Sequence, residues 1–275
     1  MIKSSVTISL VPSLAGGPWI FWDELEISVP RARAFGFDAV ELFTASADAV
    51  NSDALFRLLD QEGIRLAAVA TGAGKVLHGL HLVSSDKSKR HKACDFIAEM
   101  IDFGARFGAP VIIGSMQGRL GAGVRRQQGL EWLTEGLNRV AEKAADYGVP
   151  VILEPLNRYE TDVINNLSDG AELVGSLDCK NVLLLADLFH MNIEEASMAD
   201  SIRAAGGHIG YVHFVDSNRR PAGMGHIDLL EVAAALKEIG FSGYASAEAL
   251  PYPDSDSAAA GTLAAFGKFL GPSPE

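Results

Sequence analysis

Short apolar runs alternate along the chain with longer stretches whose apolar residues recur at three- and four-residue steps, the signatures of buried strands and amphipathic helices. The runs fall near 5–11, 38–43, 64–70, 109–114, 149–154, 181–186, 209–215 and 243–248. Between them, DELEISVPRARAFG, SDALFRLLDQEG, SKRHKACDFIAEMIDFGARFG and LEWLTEGLNRVAEKAADYG carry the helical period. Gly36, Gly63, Gly108, Gly148 and Gly240 stand where helical stretches stop, the place for a left-handed closing residue. Eight strands alternating with about eight helices predict a parallel sheet joined by right-handed crossovers. Left open, such a sheet is doubly wound; closed, it is an α/β (β/α)8 TIM barrel. The strand count favours closure, and the length favours a single domain over residues 1–275.

Four of the later runs, VPVILEP, NVLLLAD, IGYVHF and YASAEAL, stop on Glu154, Asp187, His213 and Glu248. The intervals are 33, 26 and 35 residues, about one strand-helix unit each, so all four are expected at the same end of neighbouring strands. That end, the C-terminal one, is where barrel active sites form. Any one of these residues is readily explained as a helix cap or an ion-pair partner. As a set, three carboxylates and an imidazole suit one divalent ion such as Mn²⁺, Mg²⁺ or Co²⁺ better than a structural zinc.

Composition narrows the field. The net charge of −12 repels phosphate backbones and anionic lipid, which argues against nucleic acid or a membrane as partner. A hydrophobic content of 48% is enough for a large core without disulfides, and Cys94 and Cys179 read as reduced, small core residues. The start, MIKSSVTISLVPS, reads as a first strand and not as a signal peptide, and no stretch has the length needed to span a bilayer. A cytoplasmic protein is the expectation. No nucleotide-binding glycine loop follows any strand; TGAGK at 71–75 lacks the spacing and reads as a turn.

Two connections exceed what a barrel needs. VPSLAGGPWIFWDE carries Trp19, Phe21 and Trp22; SMQGRLGAGVRRQQG carries Gln117, Arg119, Arg125 and Arg126. Both are expected to overhang the ligand end, either as lids and substrate walls or as rim aromatics and solvated arginines. The C-terminal GPSPE is expected to be loose.

LEPLNRYET, ADLFHMNIEE, VHFVDSNRRPAGMGHID and SAEAL closely resemble the divalent-metal ketose and keto-uronate 3-epimerases of the xylose-isomerase-like barrel superfamily, the D-tagatose/D-psicose 3-epimerase family. The longer runs look most like its keto-uronate branch, the 5-keto-L-gluconate epimerases. The likeness is strong over about residues 109–250 and weaker before that. It implies metal ligands Glu154, Asp187, His213 and Glu248, with the two glutamates doubling as acid and base. It also implies a substrate-gripping group of Glu160, His190 and Arg219, together with a homodimer or homotetramer. The residues read independently leave alternatives: Arg219 as a surface ion pair, His190 as a satisfied core histidine, Glu160 as an orienter of Arg158. Asp216 and Asn218 are expected to shape their loop, and His78, His81, His91, His208 and His226 match no ligand spacing.

The resemblance implies inversion of C3 in a ketose or a keto-uronate, such as 5-keto-L-gluconate or D-tagaturonate. A metal-stabilised enediolate would form while two carboxylates exchange protons with the carbon. Competing readings are an aldose-ketose isomerase of the hydroxypyruvate isomerase type, a dehydratase of a cyclic keto acid, and a non-catalytic sugar-binding barrel. An endonuclease IV-like enzyme needs more ligands and a basic groove, and does not fit. Arg119 is the candidate partner for a substrate carboxylate.

Overall fold

The computed structural model describes residues 1–271, and its eight parallel strands close into a barrel in chain order. The chain runs β1 (Lys3–Ser9), α1 (Leu25–Phe35), β2 (Ala39–Phe43), α2 (Ser52–Glu62), β3 (Arg65–Ala70), α3 (Ala73–His78), α4 (Lys87–Ala105), β4 (Val111–Ile113), α5 (Arg126–Ala145) and β5 (Val151–Leu153). It continues through α6 (Leu167–Ser176), β6 (Val182–Asp187), α7 (Leu188–Glu194), α8 (Met198–Ala205), β7 (Ile209–His213), α9 (Leu229–Glu238), β8 (Tyr244–Ala247) and α10 (Ser255–Phe269). The last strand pairs with the first, Lys3 opposite Tyr244 and Val6 opposite Ala247, which leaves no open sheet edge.

Every expected strand overlaps an observed one, and all five helix-ending glycines have positive φ, from 62° at Gly63 to 106° at Gly36. Two crossovers differ from expectation by carrying a second, short helix. After β3, Gly72 caps α3, so the TGAGK segment opens a helix instead of making a simple turn. After β6, Asp187 ends the strand and caps α7 at once. Neither helix is long enough to establish a 3.6-residue period in the sequence.

The core has two layers. Ala39, Ile112, Ile152, Leu185 and Tyr211 pack together as an inner cluster. A larger cluster joins strand residues such as Leu42 and Val212 to helix residues such as Ile97, Leu137 and Leu236, filling the space between sheet and helices. The strand period of two then has a direct consequence: Glu41, Glu154, Asp187 and His213 each lie two residues beyond an inner-cluster residue, so they continue that inward face. Register shifts at Val40/Glu41 and at Leu184/Leu185 fall just before two of these polar residues, the usual position for irregularities that aim a side chain.

Both cysteines are free, and among the described residues no helix is long and apolar enough to cross a membrane. The expected loose tail lies, apart from Gly271, outside the described residues.

Candidate active site

Glu154, Asp187, His213 and Glu248 converge, with one ligand atom from each all within 4.8 Å of one another. His213 Nδ1 is 2.9 Å from Asp187 Oδ2, 3.4 Å from Glu154 Oε1 and 3.7 Å from Glu248 Oε2. Ligands bonded at roughly 2.0–2.2 Å to one cation stand about 3 Å apart or a little more, so the set fits a divalent ion. Glu154 Oε1 is buried without a hydrogen-bond partner, a costly state that a cation would relieve.

Neighbouring groups hold each carboxylate in place. Asp187 Oδ1 accepts from the backbone N–H groups of Phe189 and His190, which leaves Oδ2 for the site. Glu154 lies over Gly114, where an added Cβ would stand 2.2 Å from Oε2, so only glycine leaves room for the carboxylate. Gln117, expected in an overhanging loop, is instead fully buried, donating to the Glu154 carbonyl oxygen and accepting from Ile164 N–H. Arg219 Nη2 donates to Glu248 Oε2 at 2.6 Å.

Burial, reinforced by Glu248, pushes the Glu154 carboxyl up to about 7, against the pull of His213 and His190. Burial works the same way on Asp187, yet His190, His213 and Arg219 overcome it and hold that carboxyl well below its ordinary value. For His213 burial favours the neutral ring, but Glu41, Glu248, Asp187 and Glu154 hold the imidazole well above its ordinary value. A divalent ion entering the site must therefore displace protons, and affinity should weaken as pH falls. For one proton on Glu154 the apparent dissociation constant is expected to rise about tenfold per pH unit below about 7. Calorimetric titration with Mg²⁺ at several pH values checks this, and an affinity that does not change below neutrality contradicts it.

Beside the acids lies a cavity of about 180 Å³, small against the roughly 300–1,000 Å³ of drug-sized sites. His190, Glu160 and Arg219, the three residues expected to grip a substrate, all line it. Arg219 has φ 59°, a left-handed conformation uncommon for a residue with a side chain, and its guanidinium lies over the Phe189 ring at 4.7 Å. Burial opposes its charge, but Glu248, Asp187 and Glu160 raise its pKa further. Glu160 Oε1 is 3.5 Å from Arg219 Nη1. Arg158 pairs with Glu194 and not with Glu160.

Glu41 was not singled out from the sequence, because it sits inside the apolar run AVELF and marks no strand end. It lines the cavity, its Oε2 accepts from the Tyr211 hydroxyl at 3.0 Å, and the same oxygen is 3.3 Å from His213 Nε2. The period-two rule that places Glu154 two after Ile152 also places Glu41 two after Ala39, and it is the signal that could have found this residue.

The two long loops divide their residues between wall and support. Trp19 lines the cavity and packs on Phe43 at 4.4 Å, whereas Phe21 is buried and runs alongside β1, exchanging backbone hydrogen bonds with Thr7 and Ser9. Arg119 donates to the Tyr159 and Arg158 carbonyl oxygens and does not line the cavity, so the expectation that it meets a substrate carboxylate is corrected. Arg126 pairs with Asp169, and Arg125 is exposed at the start of α5. Asp216 accepts from Ser217, Gly223 and Ile227 N–H groups and shapes its loop as expected, as does Asn218 by donating to the Met224 carbonyl. Among the remaining histidines His81 is half-buried against Gly118, its pKa lowered to about 4 by burial and by Lys75 and Lys89; the other four are exposed.

The profile of the xylose isomerase-like TIM barrel family matches residues 29–266. An L-ribulose 3-epimerase of Mesorhizobium japonicum is 30% identical over 221 residues, covering 80% of this chain and 73% of that protein. A D-psicose 3-epimerase of Agrobacterium fabrum is 41% identical over 109 residues, 40% of this chain and 38% of that protein. A solved structure of an L-ribulose 3-epimerase superposes with a TM-score of 0.81 at 25% identity, covering 98% of this chain and 95% of that one.

Proposed function

Since the chain belongs to the xylose isomerase-like TIM barrel family and its relatives are sugar epimerases, which are isomerases, we propose that it inverts C3 of a neutral ketose with the help of one divalent cation. The observation that carries this reading is the convergence of Glu154, Asp187, His213 and Glu248 at the edge of a small cavity. The oxygen-rich donor set favours Mn²⁺, with Mg²⁺ or Co²⁺ as substitutes. Bound there, such an ion supplies Lewis-acid polarisation of a carbonyl, worth several kcal/mol.

The protein's own groups do the rest. Glu154 extends from β5 and Glu248 follows β8, strands that are not neighbours in the barrel, so the two carboxyls can flank one carbon. One removes the C3 proton and the other returns a proton to the opposite face; reversal of direction exchanges their roles. With a cation held there, the proton that burial favours on Glu154 is displaced, leaving an ionised carboxylate beside the cavity to take the C3 proton. His190 and Arg219 bring N–H donors to the oxygens on which enediolate charge builds, and Glu160 and Glu248 hold the Arg219 guanidinium in place.

A neutral ketose is favoured over a keto-uronate by the rest of the cavity wall. Pro18, Trp19, Phe43, Val76 and Leu156 line it, and Arg219 is the one lysine or arginine among the described lining residues, already paired with two carboxylates. A uronate carboxylate would be desolvated there without a free partner. Neutral ketopentoses and ketohexoses are therefore expected to show kcat/KM about 10²-fold above keto-uronates in a panel followed by proton NMR in D₂O. Keto-uronates turned over equally well or faster would overturn this choice of substrate. The reading takes residues 1–275 as one barrel domain and, from the family resemblance and the acidic charge, a cytoplasmic homodimer or homotetramer.

A further inference from the structure

The two ring nitrogens of His190 meet opposite surroundings. Nδ1 lies 3.3 Å from the backbone nitrogen of Asn157 and 2.7 Å from Asn157 Nδ2. Nε2 is buried with no hydrogen-bond partner, on a residue of the cavity wall, 3.8 Å from Glu154 Oε1 and 4.0 Å from Asp187 Oδ2. What Nδ1 faces can be assigned without ambiguity. A backbone N–H only donates. The carboxamide orientation is fixed because Asn157 Oδ1 accepts from Tyr159 N–H at 2.9 Å, which turns Nδ2 toward His190 and, at 3.3 Å, toward Glu160 Oε1. Nδ1 is thus met by two donors, so in the neutral ring, the form left when a cation and not the ring's own charge balances the acids, it is Nδ1 that holds the lone pair. The ring proton belongs on Nε2.

We infer that Asn157 is a positioning residue that sets the tautomer of His190, so that Nε2–H donates to a substrate oxygen and cannot accept the proton taken from carbon. The backbone around it is arranged to keep this contact. Asn157 is only 2% exposed, and its carbonyl oxygen accepts from the N–H groups of Glu160 and Thr161, closing the loop after β5 into a turn. Meanwhile His190 N–H donates to Asp187 Oδ1, which ties the ring's backbone to the acid cluster. Asn157 stands off the cavity wall and acts through His190. The sequence pattern gives Asn157 no catalytic look, since it is neither titratable nor at a strand end.

An aspartate at this position has the same shape but replaces the donor Nδ2 with an acceptor, which draws the ring proton to Nδ1 and strips Nε2 of its hydrogen. The inference rests on the sugar-epimerase reading for the identity of the oxygen that Nε2–H meets, but the tautomer does not depend on that reading. The test is therefore spectroscopic first. Two-bond proton–nitrogen NMR on uniformly ¹⁵N-labelled, Mg²⁺-loaded protein, with His190 assigned by its loss in His190→Gln, is expected to show the parent ring protonated on Nε2. In Asn157→Asp the proton is expected on Nδ1. With that shift, kcat for the ketose should fall about 10²–10³-fold, the effect of losing one donor to a developing oxyanion. Mg²⁺ affinity should change by less than about threefold, since no metal ligand is touched, whereas KM is expected to rise because the substitution also removes the Asn157 Nδ2 donor from Glu160 Oε1. A parent His190 protonated on Nδ1, or a ring tautomer unchanged in Asn157→Asp, overturns the inference. Should the variant fail to fold, the parent spectrum decides alone. A parent with the expected tautomer but no turnover of any ketose would count against the proposed reaction and leave the role of Asn157 standing.

Discussion

Stripping divalent metal from the purified protein is expected to lower ketose turnover by about 10³-fold or more, with recovery on adding Mn²⁺. The size follows from what the ion supplies: polarisation of a carbonyl is worth several kcal/mol, and each 1.36 kcal/mol is a factor of ten in rate. The arrangement of the acids gives the reason to expect it. Glu154, Asp187 and His213 are nearly inaccessible to solvent, Glu154 Oε1 has no partner, and like charges at such separations repel without a cation between them. Fold should survive the loss, because the barrel is closed by its own strand pairing and filled by an apolar inner cluster. Circular dichroism with and without chelator separates the two effects. Turnover unaffected by exhaustive chelation contradicts the expectation.

Replacing Glu154 or Glu248 by glutamine is the second change of large effect. A carboxamide keeps the shape and a carbonyl oxygen for the metal but cannot carry a proton to or from carbon. Each proton transfer of this kind is worth roughly 10²–10⁴-fold, and because inversion needs both groups in sequence, either single variant should abolish net epimerisation. Metal affinity should weaken yet stay measurable, since three of the four ligands remain. Glu248→Gln also weakens the 2.6 Å contact to Arg219, so its KM is expected to rise more than that of Glu154→Gln. Exchange of the C3 proton with D₂O, followed by proton NMR, reads the chemistry directly, and normal exchange in both variants contradicts the assignment.

How far the sequence alone leads depends on where a residue sits. Glu154, Asp187, His213 and Glu248 are legible because each ends an apolar run, and a run's end is a strand's end. Glu41 is harder to find because it lies within such a run: the period of two puts it on the same face as Ala39, and the packing of Ala39 in the inner cluster shows that this face looks inward. Arg119 illustrates the opposite error. Its charge and loop suggest a carboxylate partner, but its side chain goes to the carbonyls of Arg158 and Tyr159, about 40 residues away, a contact that local pattern does not encode. Asn157 is invisible for a further reason: its role depends on the orientation of one amide, fixed by Tyr159 N–H. The fold itself was readable because eight repeats of one supersecondary unit reinforce one another, whereas α3 and α7 are too short to leave a periodic trace.

The central claim is that a metal held by these four side chains allows two glutamates to move a proton on and off C3. The most direct test is where deuterium appears when the Mn²⁺-reconstituted protein is incubated with a neutral ketose in D₂O and the recovered sugars are read by NMR after metal removal. Deuterium at C3 of both the ketose and its epimer, and none without the metal, is the predicted result. Deuterium confined to C1 or to the C2 of an aldose, or incorporation at C3 that persists without metal, would contradict it.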